Sequence, residues 1–134
     1  MTKLIIIEGI GEAYEAKLNA VGIATVEDLL KQCAAPKGRA ELEEKTGIRH
    51  DLILEWTNRA DLFRVKGVGE EYSDLLEATG VDTVAELAQR NPENLYKAMV
   101  AKNAEKKLVR RMPSQQQVAD WVVEAKSLPR VVTY

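Results

Sequence analysis

The chain has 134 residues, 46% hydrophobic and 30% charged with a net charge of −2, long enough to bury an interior without staples. Its single cysteine, Cys33, excludes an intrachain disulfide and points to a reducing cytoplasm; with only one histidine, His50, zinc-finger spacings are excluded too. No apolar run approaches the ~20 residues that span a bilayer, and Met1 to Glu8 meets an acid too soon to read as a signal peptide.

Taken in order, Lys3 to Ile7 is β-branched and apolar and reads as a short extended segment. The turn Gly9-Ile10-Gly11 precedes a helix over about 12–20, with Tyr14, Leu18 and Val21 on one face and Gly22 as a left-handed cap. Thr25-Val26-Glu27-Asp28 has the form of a capping box and starts a helix to about Cys33. Ala34 to Gly38 reads as a loop. A helix over about 39–46 stops at Gly47, and the next, about 49–62, places Ile53, Trp56 and Ala60 on one stripe. A second turn, Gly67-Val68-Gly69, leads into a helix over about 70–79 closed by Gly80. Thr83 to Glu86 is a second capping box, and Asn91-Pro92 is a helix start. Helices are expected over about 92–101 and 104–110. Ser114 caps a last helix to about Ser127, with Val118, Trp121, Val122 and Ala125 inward, and Pro129 prevents its continuation.

These elements say the same thing twice. Gly9, Gly11, Glu12, Tyr14, Leu18, Ala20, Gly22, Thr25, Val26 and Leu29 recur as Gly67, Gly69, Glu70, Tyr72, Leu76, Ala78, Gly80, Thr83, Val84 and Leu87, always 58 residues later (67 − 9). A period of that length points to a duplicated supersecondary unit. The expected fold is therefore all-α, with residues 1–62 as a first helical repeat. Residues 63–134 form a second repeat with a C-terminal closing helix. The two are expected to pack as one compact unit with pseudo-two-fold symmetry and short extended termini. Only eight residues precede Gly9, so the helix around Trp121 is expected to stand in as the first helix of repeat one. Val131-Val132 would then lie beside Ile5-Ile6-Ile7; the same pairing between two chains would give a swapped homodimer.

The glycine turns are the candidate site. Two glycines flanking one apolar residue let the backbone turn sharply, and the first N–H groups of the following helix stand unpaired where the dipole favours an anion. Ile7 to Gly11 and Val65 to Gly69 resemble the hairpin of helix-hairpin-helix modules, and Gly22 with Thr25-Val26, or Gly80 with Thr83-Val84, continues as those modules do. The resemblance implies contact between hairpin amides and nucleic-acid phosphates without reading of sequence. The chain as a whole also resembles the uncharacterised bacterial family called domain of unknown function 4332, which implies no activity. Three features depart from the helix-hairpin-helix pattern. Glu8 and Lys66 stand where proline is usual, Glu12, Glu70 and Glu71 begin the following helices, and repeat one has no room for its own leading helix. Acids at those helix starts repel a phosphate, so the first hairpin suits DNA poorly, while Lys66 improves the second.

Charge adds a second candidate. Residues 1–96 carry 11 basic and 18 acidic side chains, a balance of −7, and residues 97–134 carry 8 and 3, a balance of +5. Lys102, Lys106, Lys107, Arg110 and Arg111 gather in the second stretch. On the expected helix, Lys106 with Arg110 and Lys107 with Arg111 form a positive ridge able to hold phosphates; the plainer reading is a solvated helix end. Tyr14, Tyr72, Trp56 and Trp121 read as interior residues. His50 and Asp51 face different ways on a helix, Cys33 reads as a small hydrophobe, and Glu41, Glu43 and Glu44 lack metal-ligand partners.

Neither an enzyme, a cofactor, a metal nor a membrane is expected. The expected site residues are Lys66, Gly67, Val68, Gly69, Gly9, Ile10, Gly11, Lys106, Lys107, Arg110 and Arg111. Two readings follow: a nonspecific nucleic-acid (DNA) binding module, or a protein-interaction scaffold that has lost phosphate binding. The pI near 5.5 favours the second, and the motif favours the first.

Overall fold

A computed structural model describes residues 2–134, leaving Met1 of the predicted first repeat outside it. The described residues are helical without strands, as the all-α expectation requires: α1 (Glu12–Ala20), α2 (Val26–Cys33), α3 (Pro36–Thr46), α4 (His50–Leu62), α5 (Glu70–Ala78), α6 (Val84–Ala88), α7 (Pro92–Lys106) and α8 (Gln115–Ser127). They fall into two compact units, Met1–Asp61 with Val131–Tyr134, and Leu62–Arg130.

In the first unit the segment read as extended is a 3-10 turn, Leu4–Ile6, flanked by extended Lys3 and Ile7. Burial explains the difference. Leu4 and Ile7 are both buried while Ile5 is largely exposed. Residues three apart eclipse in a 3-10 turn but face opposite ways on a strand. An antiparallel bridge, Lys3 with Thr25, ties this turn to the start of α2. There the predicted capping box is complete: the Thr25 hydroxyl accepts from the Asp28 N–H and the Asp28 carboxylate accepts from the Thr25 N–H. Those bonds, chiefly from the Ala24 N–H and then the Thr25 hydroxyl, hold the Asp28 carboxyl below its ordinary value.

Of the loop expected over Ala34 to Gly38, only Ala34 and Ala35 lie outside a helix. Pro36 is the first residue of α3, where its missing N–H costs nothing. Gly38 lies inside that helix because α3 runs against the end of α2: a Cβ there would sit 1.9 Å from the Gln32 carbonyl oxygen. α3 ends where expected, at left-handed Gly47 (φ +72°).

Residues 131–134 belong to this unit. The Thr133 N–H donates to the Ala34 carbonyl at 2.8 Å. The Arg39 guanidinium, itself buried, donates to the carbonyls of Cys33, Ala34 and Thr133 at 2.9, 3.1 and 2.7 Å. Several carbonyl partners offset the cost of burying this cation.

In the second unit α8 packs on α6 and α7, and α5 on α7. Leu75, Leu76, Leu87, Leu95, Met99, Val118 and Val122 form a shared core with Trp121. The break expected within residues 101–104 is absent, and one helix continues to Lys106. It ends at Lys107, whose φ of +52° makes it a left-handed cap without glycine. That conformation costs a non-glycine residue about 1–2 kcal/mol. Asn103 offsets it by bracketing the next turn, its carbonyl accepting from the Val109 N–H at 3.0 Å and its amide donating to the Val109 carbonyl at 3.3 Å. Residues 107–113 are irregular, so the i, i+4 pairs of a helical ridge do not exist. At Thr83 the hydroxyl accepts from the Glu86 N–H and faces its carboxylate at 3.4 Å.

Candidate nucleic-acid interface

Each glycine turn is built from its own backbone upward. The Ile10 N–H donates to the Ile7 carbonyl and the Val68 N–H to the Val65 carbonyl, both at 3.1 Å. The residue before each donor is a glycine at positive φ, Gly9 at +96° and Gly67 at +89°. A four-residue turn with positive φ at its third position is type II, which demands glycine there. Its second position, where proline is favoured, holds Glu8 or Lys66. Ile10 and Val68 are buried and anchor the turns, so they offer a ligand only their main chain.

A tryptophan lies under each turn. A Cβ on Gly9 would stand 3.1 Å from Trp56 Nε1, and one on Gly67 would stand 3.2 Å from Trp121 Nε1. Tyr14 meets Trp56 edge-on (centroids 5.0 Å apart), and Tyr72 meets Trp121 at 5.3 Å. Both tryptophans are interior residues, as expected, and both tyrosines are half-buried against them. This corrects the expected exchange of helices: α8 floors Gly67, and α4 provides the tryptophan under Gly9. Gly11 and Gly69 have extended backbone and open space around a built Cβ. Neither their conformation nor the surrounding space requires glycine.

Directly after the turns, α1 and α5 begin with a glycine cap that has no side chain to offer. Their first internal bonds are Glu15 N–H to the Gly11 carbonyl and Ser73 N–H to the Gly69 carbonyl, both 2.9 Å. The preceding amides, Glu12 to Tyr14 and Glu70 to Tyr72, therefore have no carbonyl of their own helix to bond.

The two turns differ in what surrounds them. The Tyr72 hydroxyl donates to the Arg111 carbonyl at 3.1 Å, holding the loop after α7 against the start of α5. Arg110 is thereby placed beside the turn, 93% exposed, with Nε 3.4 Å from Glu71 Oε1. Gly67, Gly69, Glu70, Glu71, Tyr72 and Arg110 line one open depression of about 510 Å³. The expected cluster is thus partly assembled: Arg110 and the Arg111 backbone meet the second hairpin, while Lys106 and Lys107 lie at the exposed end of α7. Sequence reasoning missed one group at this turn. Glu124 on α8 accepts the Lys66 N–H at 2.9 Å, occupying one amide of the turn. Its signal was its place three residues after Trp121, on the face that meets the hairpin.

Cys33 is buried, and that burial pushes its thiol up to about 11 against the opposing pull of the Thr57 hydroxyl and Arg39. A neutral thiol is a poor nucleophile. Iodoacetamide at pH 8 is therefore expected to label Cys33 only after denaturant is added; stoichiometric labelling of the folded chain would contradict this. No helix among the described residues is long and apolar enough to cross a membrane.

The fold and site define an all-helical chain bearing two exposed, tryptophan-floored glycine turns at helix starts. The model of the family described as "Domain of unknown function (DUF4332)" matches residues 8–128, and the chain belongs to that family. No curated protein and no solved structure matches it.

Proposed function

We propose that this chain is a non-enzymatic, cytoplasmic helix-hairpin-helix module whose two repeats, offset by 58 residues, descend from one ancestral unit. In this reading it binds the phosphate backbone of nucleic acid, without regard to sequence, through the second hairpin. The observation that carries the reading is the Tyr72–Arg111 bond, which sets Arg110 beside the uncapped amides of α5. Lys66 enters from the turn itself. A phosphate seated there meets main-chain donors, the positive end of a helix and two or three cations. The first hairpin, with Glu8 in place of Lys66, acts as the structural copy.

The test is retention on immobilised duplex DNA. If Lys66, Arg110 and Arg111 each neutralise one phosphate, the logarithm of the binding constant falls with the logarithm of salt with a slope of about −3. The double variant Lys66→Glu, Arg110→Glu is expected to abolish retention. Failure of the unaltered chain to bind at low salt would refute the reading.

A second reading is favoured by a separate observation. Carboxylates already occupy anion positions at this hairpin, Glu124 on the Lys66 amide and Glu71 on Arg110. On that reading the turn is an internally neutralised scaffold and the module binds protein.

A further inference from the structure

We propose that the first unit carries a docking groove for an extended peptide, filled by the chain's own residues 131–134, and that a second copy of this chain can fill it with the same segment. The groove recognises the segment at every position from Val132 onward. Val132 is a buried side chain only 3% exposed. Thr133 is gripped by its main chain on both sides, donating N–H to the Ala34 carbonyl at 2.8 Å and accepting from Arg39 at 2.7 Å. The Tyr134 ring lies 5.8 Å from the Arg39 guanidinium carbon, and its hydroxyl donates to Asn58 Oδ1 at 3.1 Å. Main-chain bonds at Thr133 supply affinity here, and the side chains of Val132 and Tyr134 supply specificity.

The receptor half has holds of its own. Apart from its bond to Thr133, Arg39 donates to the carbonyls of Cys33 and Ala34. Its Nε is buried without a partner. The tail reaches this place from α8 through Leu128-Pro129-Arg130, an extended connector that begins at Leu128 (φ −85°, ψ +136°). An arm that leaves one compact unit and seats in another by side-chain pocket and main-chain bonds is the element that domain swapping exchanges. Each copy carries both groove and arm, so the fitting partner for an emptied groove is another copy. Within one chain the arm is present at an effective concentration of order millimolar, so exchange shows only when that advantage is removed.

Complementary variants remove it. Val132→Asp spoils the arm and leaves the groove; Arg39→Met spoils the groove and leaves the arm. Each alone is expected to sediment as the 14.9 kDa monomer, and an equimolar mixture as a dimer of twice that mass. If Arg39→Met fails to fold, a fluorescent peptide of residues 130–134 is titrated into the Val132→Asp chain, with the unlabelled peptide as competitor. Saturable binding reversed by the competitor supports the proposal. Overturning results are a mixture of folded variants that stays monomeric, no peptide binding, or peptide binding that no excess of unlabelled peptide displaces.

Discussion

Trp121→Ala is expected to cost about 3–5 kcal/mol of unfolding free energy, the range for truncating a buried aromatic. Trp121 is 2% exposed and does two jobs at once. Its ring fills the core shared by α5 to α8, and its indole edge floors Gly67 while the ring supports Tyr72. Tyr72 in turn holds the loop bearing Arg110. The loss should therefore appear twice, as a lower denaturation midpoint and as broadened amide signals from Gly67 to Tyr72 under conditions where the chain is still folded. A loss below 1 kcal/mol, read by urea titration, would show that the turn does not rest on this ring.

Arg39→Met is the other large effect, expected at about 3 kcal/mol or more. The carbonyls of Cys33 and Thr133 lose the guanidinium, that of Ala34 keeps only the Thr133 N–H, and each buried carbonyl left unpaired costs about 1–3 kcal/mol. Arg39→Lys should recover little, because one ammonium cannot span donors that the planar guanidinium delivers on two nitrogens. Denaturant titration of the three proteins checks the order: Arg well above Lys, with Met lowest. A methionine variant as stable as the parent would mean that water replaces the guanidinium at no cost.

The helix starts and stops were legible because they are local. Thr25, Ser114 and Asn91 cap helices with their own side chains, and Gly22, Gly47 and Gly80 take positive φ. The turn at Gly67 was legible for the same reason. What sequence reading missed depends on contacts between distant residues. The 3-10 turn at Leu4–Ile6 is chosen by which isoleucines find an interior, and Gly38 by the approach of α3 to Gln32. The end of α7 rests on Asn103 reaching Val109, a bond between side chain and loop that no periodicity announces. That one bond also decides the basic cluster, moving Arg110 off a helical ridge and over to the second hairpin. Arg39 escaped notice since an arginine near a proline reads as solvated until a tail arrives to bury it.

The central claim is that the second hairpin receives phosphate and the first does not. Nitrogen-15 amide spectra of the full chain, recorded at low salt during addition of a short DNA duplex, test it directly. The account predicts shifts concentrated in Lys66 to Tyr72 and in Arg110 and Arg111, reversed by added salt, with Gly9 to Tyr14 unmoved. A spectrum that does not change, or one whose shifts fall away from Gly67 to Tyr72, would contradict it.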